Sequence, residues 1–441
     1  MSSRRFIFLQ GVATPFFKEL GNAIRQSGHK VFRVNFCGGD SFFSMGTDSW
    51  RFSAPLDTFP RWLAEKYADH KFTDAVLFGD TRPVHTHAIQ VLRKLGVRIH
   101  VYEEGYLRPD WITLEHNGVN GYSSLLGKDP AFWEQAASKG EREKKALPIG
   151  KTFSMRAWHD ISYRLANAAL SQLYPHYQSH RPLKAYREYL GWAQRFPLNK
   201  LWHERQDKKA IHALVESGRP YYLLPLQLDS DAQIRVHSRF ASIQQVIEHV
   251  VDSFVHYAPA DSVLVIKNHP LDTGVLKHGK FVRQLSQDRQ LTDRILFLES
   301  GHLPTLLQHT KGTVLVNSTT GTSALHHGSP TIALGTAIFA LPGLTFQEGL
   351  DRFWTEGKPA DKNLYQRFRK ATIELTQING DFYSRKGMQL AIAGSLKAMN
   401  ITPVPIPQTS SSDIATDDGL LPAPVYGGKL PESTYLYKKE H

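Results

Sequence analysis

Cysteine is nearly absent, with Cys37 alone among 441 residues. A lone thiol has no partner for an intrachain disulfide and cannot build a cysteine-based zinc or iron–sulfur site, so the composition suits a reducing compartment. No stretch approaches the roughly 20 apolar residues that span a bilayer, and any membrane contact is expected to be peripheral. The opening MSSRRFIFLQGV sets two arginines before an apolar run, residues 6–9, that ends too soon for a signal peptide. That run reads as a first buried strand, and the expected location is the cytoplasm. The sequence also lacks a G-x-x-x-x-G-K-[ST] pattern and a G-x-G-x-x-G fingerprint, which argues against ATPase and dinucleotide readings.

What the chain has in excess is positive charge, a formal +12. Nucleic acid, anionic lipid and phosphate-bearing substrates all suit such a total. Residues 151–210 hold eleven Lys/Arg against four acids, so more than half the excess sits in one segment.

Short apolar runs alternate with helical patterns through the first 125 residues: FIFLQG, KVFRVNF, DAVLFGD and VRIHVYEEG are separated by amphipathic stretches. Alternation resumes with YYLLPLQL, SVLVIKNHP, ILFLES, GTVLVNS and PTIALG. Such alternation predicts α/β lobes with parallel sheets covered on both faces. The expected division is a Rossmann-like lobe over 1–150, a basic, aromatic helical connector over 151–216, a second Rossmann-like lobe over 217–400, and a Pro/Ser-rich, disordered tail over 401–441. Two open sheets place a ligand cleft at the carboxyl edges of their strands.

The candidate chemistry falls on those edges. Glu103 and Glu104 end the strand VRIHVY before Gly105; side chains alternate along a strand, so one carboxylate need face the cleft, where it can serve as general base. Gln227 and the Asp229-Ser230-Asp231 triplet follow YYLLPL. A D-x-D triplet fits a divalent metal on a diphosphate, a nucleophilic carboxylate, or a loop that caps the next helix. Lys267-Asn268-His269-Pro270 follows SVLVI and offers positive charge and a proton donor to a phosphate. Ser318, Thr319 and Thr320 stand between a strand and a helix, where hydroxyls and free amides hold an anion or simply cap. On the first lobe, Gln10, Gly11 and Thr14 in one turn and Asp80 and Arg82 in another can host the acceptor.

Together these residues resemble the KpsS/LipB family of bacterial capsule polysaccharide proteins, over roughly residues 5–395. The resemblance is carried by FLQGVATPFFKELGNAIRQSGHKVFRVNFCGGD, EEGY, QLDSDAQIR, KNHP and NSTTGTSAL, in that order. It implies a modified GT-B architecture and a retaining β-Kdo transferase that uses CMP-Kdo. By the same resemblance, His269, Ser318 and Thr319 hold the CMP phosphate, Asp231 is the best match for a nucleophile, and the acceptor is a phosphatidylglycerol-type lipid at the inner face of the bacterial inner membrane. CMP-Kdo has one phosphate, so no metal and no separate cofactor are expected. Trp158, Tyr163, Tyr189, Trp192, Phe196 and Trp202, interleaved with the connector's charge, suit an anionic membrane interface. Other capsule synthesis or export proteins are expected partners and nucleic acid is not. A non-catalytic adaptor in capsule export is the other class of function the motifs allow.

Overall fold

In the computed structural model the described residues are 3–138, 143–150, 152–179, 191, 195, 203–229 and 232–402. The first sheet is built from β1 (Arg5–Phe8), β2 (Lys30–Asn35), β3 (Trp50–Arg51), β4 (Asp74–Phe78) and β5 (Arg98–Glu104), all parallel. Their order is β5-β4-β1-β2-β3, a doubly wound arrangement whose strand direction of growth reverses between β1 and β4. The helix Phe16–Gln26 buries Phe16, Phe17, Leu20 and Ile24, an i, i+4, i+8 stripe that packs on Phe6 and Phe8. The opposite face is covered by Phe59–His70 and Pro83–Lys94 through Phe59, Leu63, Ala88 and Leu92.

A strand the apolar pattern did not single out, β6 (Trp111–His116), folds back antiparallel on β5. Gly105 makes this return possible, because a Cβ there would lie 2.2 Å from the Trp111 carbonyl oxygen.

The second sheet contains β7 (Tyr221–Pro225), β8 (Val263–Lys267), β9 (Ile295–Leu298), β10 (Gly312–Leu315) and β11 (Thr331–Ala333). It is wholly parallel in the order β11-β10-β7-β8-β9, the same winding as the first, with its reversal between β7 and β10. Strands β7 and β8 are buried along their whole length, which is why they read as unbroken apolar runs. Ile243–Tyr257 covers one face through Val246, Ile247, Val250 and Phe254, and Glu204–Glu216 covers the other through Ile211 and Leu214. Two doubly wound α/β lobes in one chain are the expected GT-B plan.

The expected division over 217–400 needs correction at its end. After the helix Lys362–Thr376 the chain adds β12 (Gln377–Asn379) antiparallel to β6, at the edge of the first sheet. Arg385–Ala398 then packs Ala391 and Leu396 into the first lobe's core, and Phe382 meets Phe16 at 5.0 Å between ring centroids. Periodicity identifies such a helix but not the sheet it covers. The connector also divides: Phe153–Ala169 packs on the first lobe and Glu204–Glu216 on the second. Tyr189, Trp192, Phe196, Trp202 and the tail from 403 onward lie outside the described residues. Among the described residues, no helix is long and apolar enough to cross a membrane.

Candidate active site

Strand alternation separates the paired glutamates. Glu104 shares a face of β5 with Tyr102, the face covered by the returning C-terminal segment, and its Oε1 accepts a hydrogen bond from the Tyr383 hydroxyl at 2.5 Å. The Arg156 guanidinium stands 3.3 Å from the same oxygen and stacks over the Tyr383 ring at 4.9 Å. Burial pushes the Glu104 carboxyl up, but Arg156, Arg108 and the Tyr383 hydroxyl outweigh it and hold the group below the usual carboxylate range. Glu103 turns to the other side, where its Oε1 accepts the Glu104 amide at 2.9 Å and its Oε2 lies beside Gly79.

The second lobe contributes His269, on the loop after β8. Its Nδ1 accepts the Leu271 amide at 3.1 Å, which fixes the neutral ring with its proton on Nε2. Burial, then Lys267 and Arg108, with Arg156 adding, lower its pKa to about 4, so the ring is neutral at pH 7 and donates through Nε2–H. Because Arg108 and Arg156 act on both Glu104 and His269, the acidic motif of the first lobe and the His-Pro motif of the second share one electrostatic environment. Pro270 is exposed beside it. The loop is held from behind: Asn268 Oδ1 accepts the His269 amide at 2.8 Å, and Asn268 Nδ2 bonds Glu299 at 2.9 Å. Arg195 clamps the same loop through Asp272 and Glu299.

Lys267 is 6% exposed, and its ammonium meets only the Asn268 carbonyl at 3.4 Å. Burial lowers its pKa against the more distant charge of Asp207, and the ammonium makes no hydrogen bond to a carboxylate among the described residues. A buried cation so weakly satisfied favours an anionic ligand.

At the reversal of the second sheet, Gln227 Nε2 donates to Asn317 Oδ1 at 3.0 Å and Gln227 Oε1 accepts the Asn317 amide at 3.2 Å. Gln227 is therefore occupied in tying β7 to β10. The turn after Asn317 also differs from expectation. Three of its amides are taken within the turn: Thr320 N bonds Ser318 Oγ at 3.1 Å, Gly321 N bonds the Ser318 carbonyl at 2.9 Å, and Thr322 N bonds the Thr319 carbonyl at 3.2 Å. The Ser318 hydroxyl is turned to Thr320 Oγ1. Thr319 lines a cavity between the lobes with Tyr106, Asn120 and Asn317, large enough for about one water. There the lobes meet directly, as Thr322 Oγ1 donates to the Tyr106 carbonyl at 3.0 Å.

Asp229 accepts the Ile243 amide at 2.8 Å, in the first turn of the helix Ile243–Tyr257, which Ser242 caps by accepting the Gln245 amide; His278 approaches its other oxygen at 3.8 Å. Asp229 thus braces a later helix, and not the next one, Ala232–His237. Asp231 lies outside the described residues.

Of the acceptor-side residues, several are committed to the frame. Thr14 caps the start of Phe16–Gln26 by accepting the Phe16 amide at 3.3 Å, and Gly11 lies under the Phe17 ring. Asp80 accepts the Val119 amide at 2.8 Å, while burial pushes its carboxyl up to about 6 against that bond. Arg82 bonds the Gly11 carbonyl at 2.8 Å and ties the two turns together. Gln10 enters a buried cluster with Cys37, Asp40, Tyr163 and Tyr177. The residues that motif reading missed as site members are Arg108, Arg156 and Tyr383. Arg156 was visible only as connector charge, and Tyr383 needs the chain's return to the first lobe.

Fold and site define a two-lobed α/β protein in which Arg108 and Arg156 act on both Glu104 of the first lobe and His269 of the second. Residues 73–383 match the profile of the capsule polysaccharide biosynthesis protein family. The chain is 34% identical over 390 residues to the capsule polysaccharide modification protein LipB of Neisseria meningitidis serogroup B, covering 87% of this chain and 93% of LipB. It is 33% identical over 384 residues to the capsule polysaccharide export protein KpsS of Escherichia coli, covering 87% and 98% respectively. This chain belongs to the capsule polysaccharide biosynthesis family, alongside LipB and KpsS. A solved structure similar to it is that of Thermosulfurimonas dismutans KpsC, a beta Kdo 2,7 transferase, at 12% identity and a TM-score of 0.42 over 90% of this chain and all of that one.

Proposed function

We propose that this protein is a retaining glycosyltransferase that moves Kdo from CMP-Kdo to a phosphatidylglycerol-type lipid, at the inner face of the bacterial inner membrane. The observation that carries the reading is the His269 tautomer: a neutral ring with Nε2–H available, set among Lys267, Arg108 and Arg156. A CMP-activated acidic sugar carries two anionic groups, the phosphate and the sugar carboxylate, and this cleft holds cations for both. His269 donates to the phosphate as CMP leaves, and Lys267 and the Thr319 hydroxyl offset the developing charge. Asp231 attacks the anomeric carbon as the carbon–oxygen bond to CMP breaks. An acceptor hydroxyl then displaces Asp231 from that carbon and restores the original configuration, with Glu104 taking its proton. No step uses a metal, since a single phosphate leaves no diphosphate to bridge.

Membership in a family with the capsule modification protein LipB supports the pathway, and the excess cations support the anionic partners. Incubation of the purified protein with CMP-Kdo and a lyso-phosphatidylglycerol analogue, followed by mass detection, tests the reaction. A product heavier by one Kdo residue is expected; an unchanged acceptor with intact donor binding would leave an adaptor role instead.

A further inference from the structure

We propose that the carboxyl edge of β1 and β2 is an anion site in which Arg33 binds the phosphate of an organophosphate headgroup. Arg33 lies on β2 opposite Phe8 and is 5% exposed. Its Nε and Nη1 are buried without any hydrogen-bond partner. A guanidinium in that state is costly, and burial lowers its pKa even with Asp40 opposing. The charge of Asp40 offsets part of that cost, but its oxygens take their hydrogen bonds from other groups. Oδ2 accepts the Phe36 amide at 3.1 Å and the Gln10 amide group at 3.2 Å, and Oδ1 accepts the Tyr163 hydroxyl at 2.9 Å.

Arg25 adds a second positive charge that disfavours the Arg33 cation further, and the other groups around it are neutral hydrogen-bonders. Burial pushes the Cys37 thiol and the Tyr163 and Tyr177 hydroxyls up, so none of them ionises to balance Arg33. The charge of Arg82 reaches Tyr177 at the rim. A phosphate supplies what is missing, because its oxygens accept from the fork of a guanidinium and from hydroxyls together.

The helix Phe153–Ala169 roofs this cluster and points to where the phosphate comes from. Its inner face gives Tyr163 to Asp40, and Asn167, whose Oδ1 accepts the Gly39 amide at 2.6 Å. Its outer face exposes Trp158, Ile161 and Leu165 at i, i+3, i+7, with Trp158 65% and Leu165 66% exposed. A helix with that outer stripe lies flat on an interface, which keeps the cluster beneath it within about one helix diameter of the headgroup layer. The headgroup's part in transfer rests on the proposed acceptor; the anion site does not.

The test uses the full chain, with thermal melting and calorimetric titration of sn-glycerol 3-phosphate and of inorganic phosphate. Both ligands should raise the Tm of the unaltered protein. Arg33→Met should fold, since an apolar side chain replaces a buried charge, yet bind glycerol 3-phosphate at least tenfold more weakly. Arg33→Lys, which keeps the charge and loses the fork, should fall between and serves if the Met variant does not fold. His269→Ala should keep the part of the response that Arg33→Met removes. Equal ligand shifts in the unaltered protein and both Arg33 variants would overturn the site, as would a response lost in His269→Ala and kept in Arg33→Met. Vesicles of phosphatidylglycerol in phosphatidylcholine separate the sources: binding that depends on Arg33 assigns the lipid headgroup, and an Arg33-dependent response to inorganic phosphate alone assigns a free phosphate to the same site. Absence of Kdo transfer with these responses intact would count against the catalytic reading only.

Discussion

The Tyr383 hydroxyl donates to Glu104 Oε1 at 2.5 Å across 279 positions of sequence, and this bond joins the chain's return segment to the end of β5. Arg156 completes the arrangement from the connector helix. The carboxylate is therefore held ionised and oriented by two groups that share no sequence neighbourhood with it.

Removing the two carboxylates singly distinguishes them. Glu104→Gln is expected to lower kcat for Kdo transfer by about 100-fold or more, the loss of a positioned general base. Glu103→Gln, on the opposite face of the strand, should stay within about fivefold, a loss small against that of the base. Tyr383→Phe removes one donor to an ionised group, so the Glu104 pKa rises and the acid limb of the rate profile moves to higher pH. Rate profiles of the three variants, with donor saturating, check this; equal losses in both glutamate variants would reject the assignment.

The buried histidine makes a stability prediction with a definite sign. His269 has a folded pKa of about 4 against 6.5 in an open chain, so the fold favours the neutral ring. Its contribution is present in full above pH 6.5 and is lost as the pH falls towards 4, as the unfolded chain takes up the proton first. The difference is at most about 3 kcal/mol. Denaturant unfolding of His269→Gln should show a shallower loss of stability over pH 6.5 to 4 than the unaltered protein; parallel curves would mean that the ring protonates freely in the fold.

Asp80 runs the other way. Its folded pKa of about 6 stands above the open-chain 3.8, mainly because it is buried, so the protonated form is the one the fold favours. Stability from this group is present below pH 3.8 and lost as the pH rises through 6. Asparagine keeps an acceptor for the Val119 amide and cannot ionise. Asp80→Asn is therefore expected to stabilise the protein by about 1–3 kcal/mol at pH 7.5, with the gain vanishing near pH 4. Destabilisation at pH 7.5 would show that Asp80 has a charged partner to serve.

How much of this was legible depends on how far each feature reaches along the chain. Lys267 and His269 follow an unbroken apolar strand, and a strand end marks the cleft wherever the sheet is parallel. The parallel α/β character of both lobes follows from the alternation of strands and helices, while the strand order within each sheet does not. Arg108, four residues beyond Glu104, stands in a loop that carried no such mark, and Arg156 and Tyr383 reach Glu104 from a connector helix and the return segment through tertiary packing alone. Ser318 and Thr320 illustrate the opposite error. Their position between strand and helix was read correctly, yet their polar groups close the turn internally. Thr14 and Asp80 likewise serve the frame, because a buried turn must satisfy its own amides before it can offer any to a ligand.

The two aspartates of the D-x-D triplet should separate in kind as well as in degree. Asp229 Oδ1 holds the Ile243 amide at the start of a helix whose buried face is part of the second lobe's core. Losing that charge-assisted hydrogen bond costs about 1–2 kcal/mol, so Asp229→Ala should lower the Tm measurably and reduce kcat only through the loop it displaces. Asp229→Asn, which keeps the acceptor oxygen, should restore most of both. Asp231 has the opposite signature if it is the nucleophile: Asp231→Ala should abolish transfer with the Tm nearly unchanged, and Asp231→Asn should not rescue it, because an amide cannot form the glycosyl ester. Rapid quench of the unaltered protein with CMP-Kdo and no acceptor should trap an adduct of one Kdo on the peptide containing Asp231. An adduct on the Asp229 side of the triplet, or full turnover in Asp231→Ala, would move the nucleophile elsewhere.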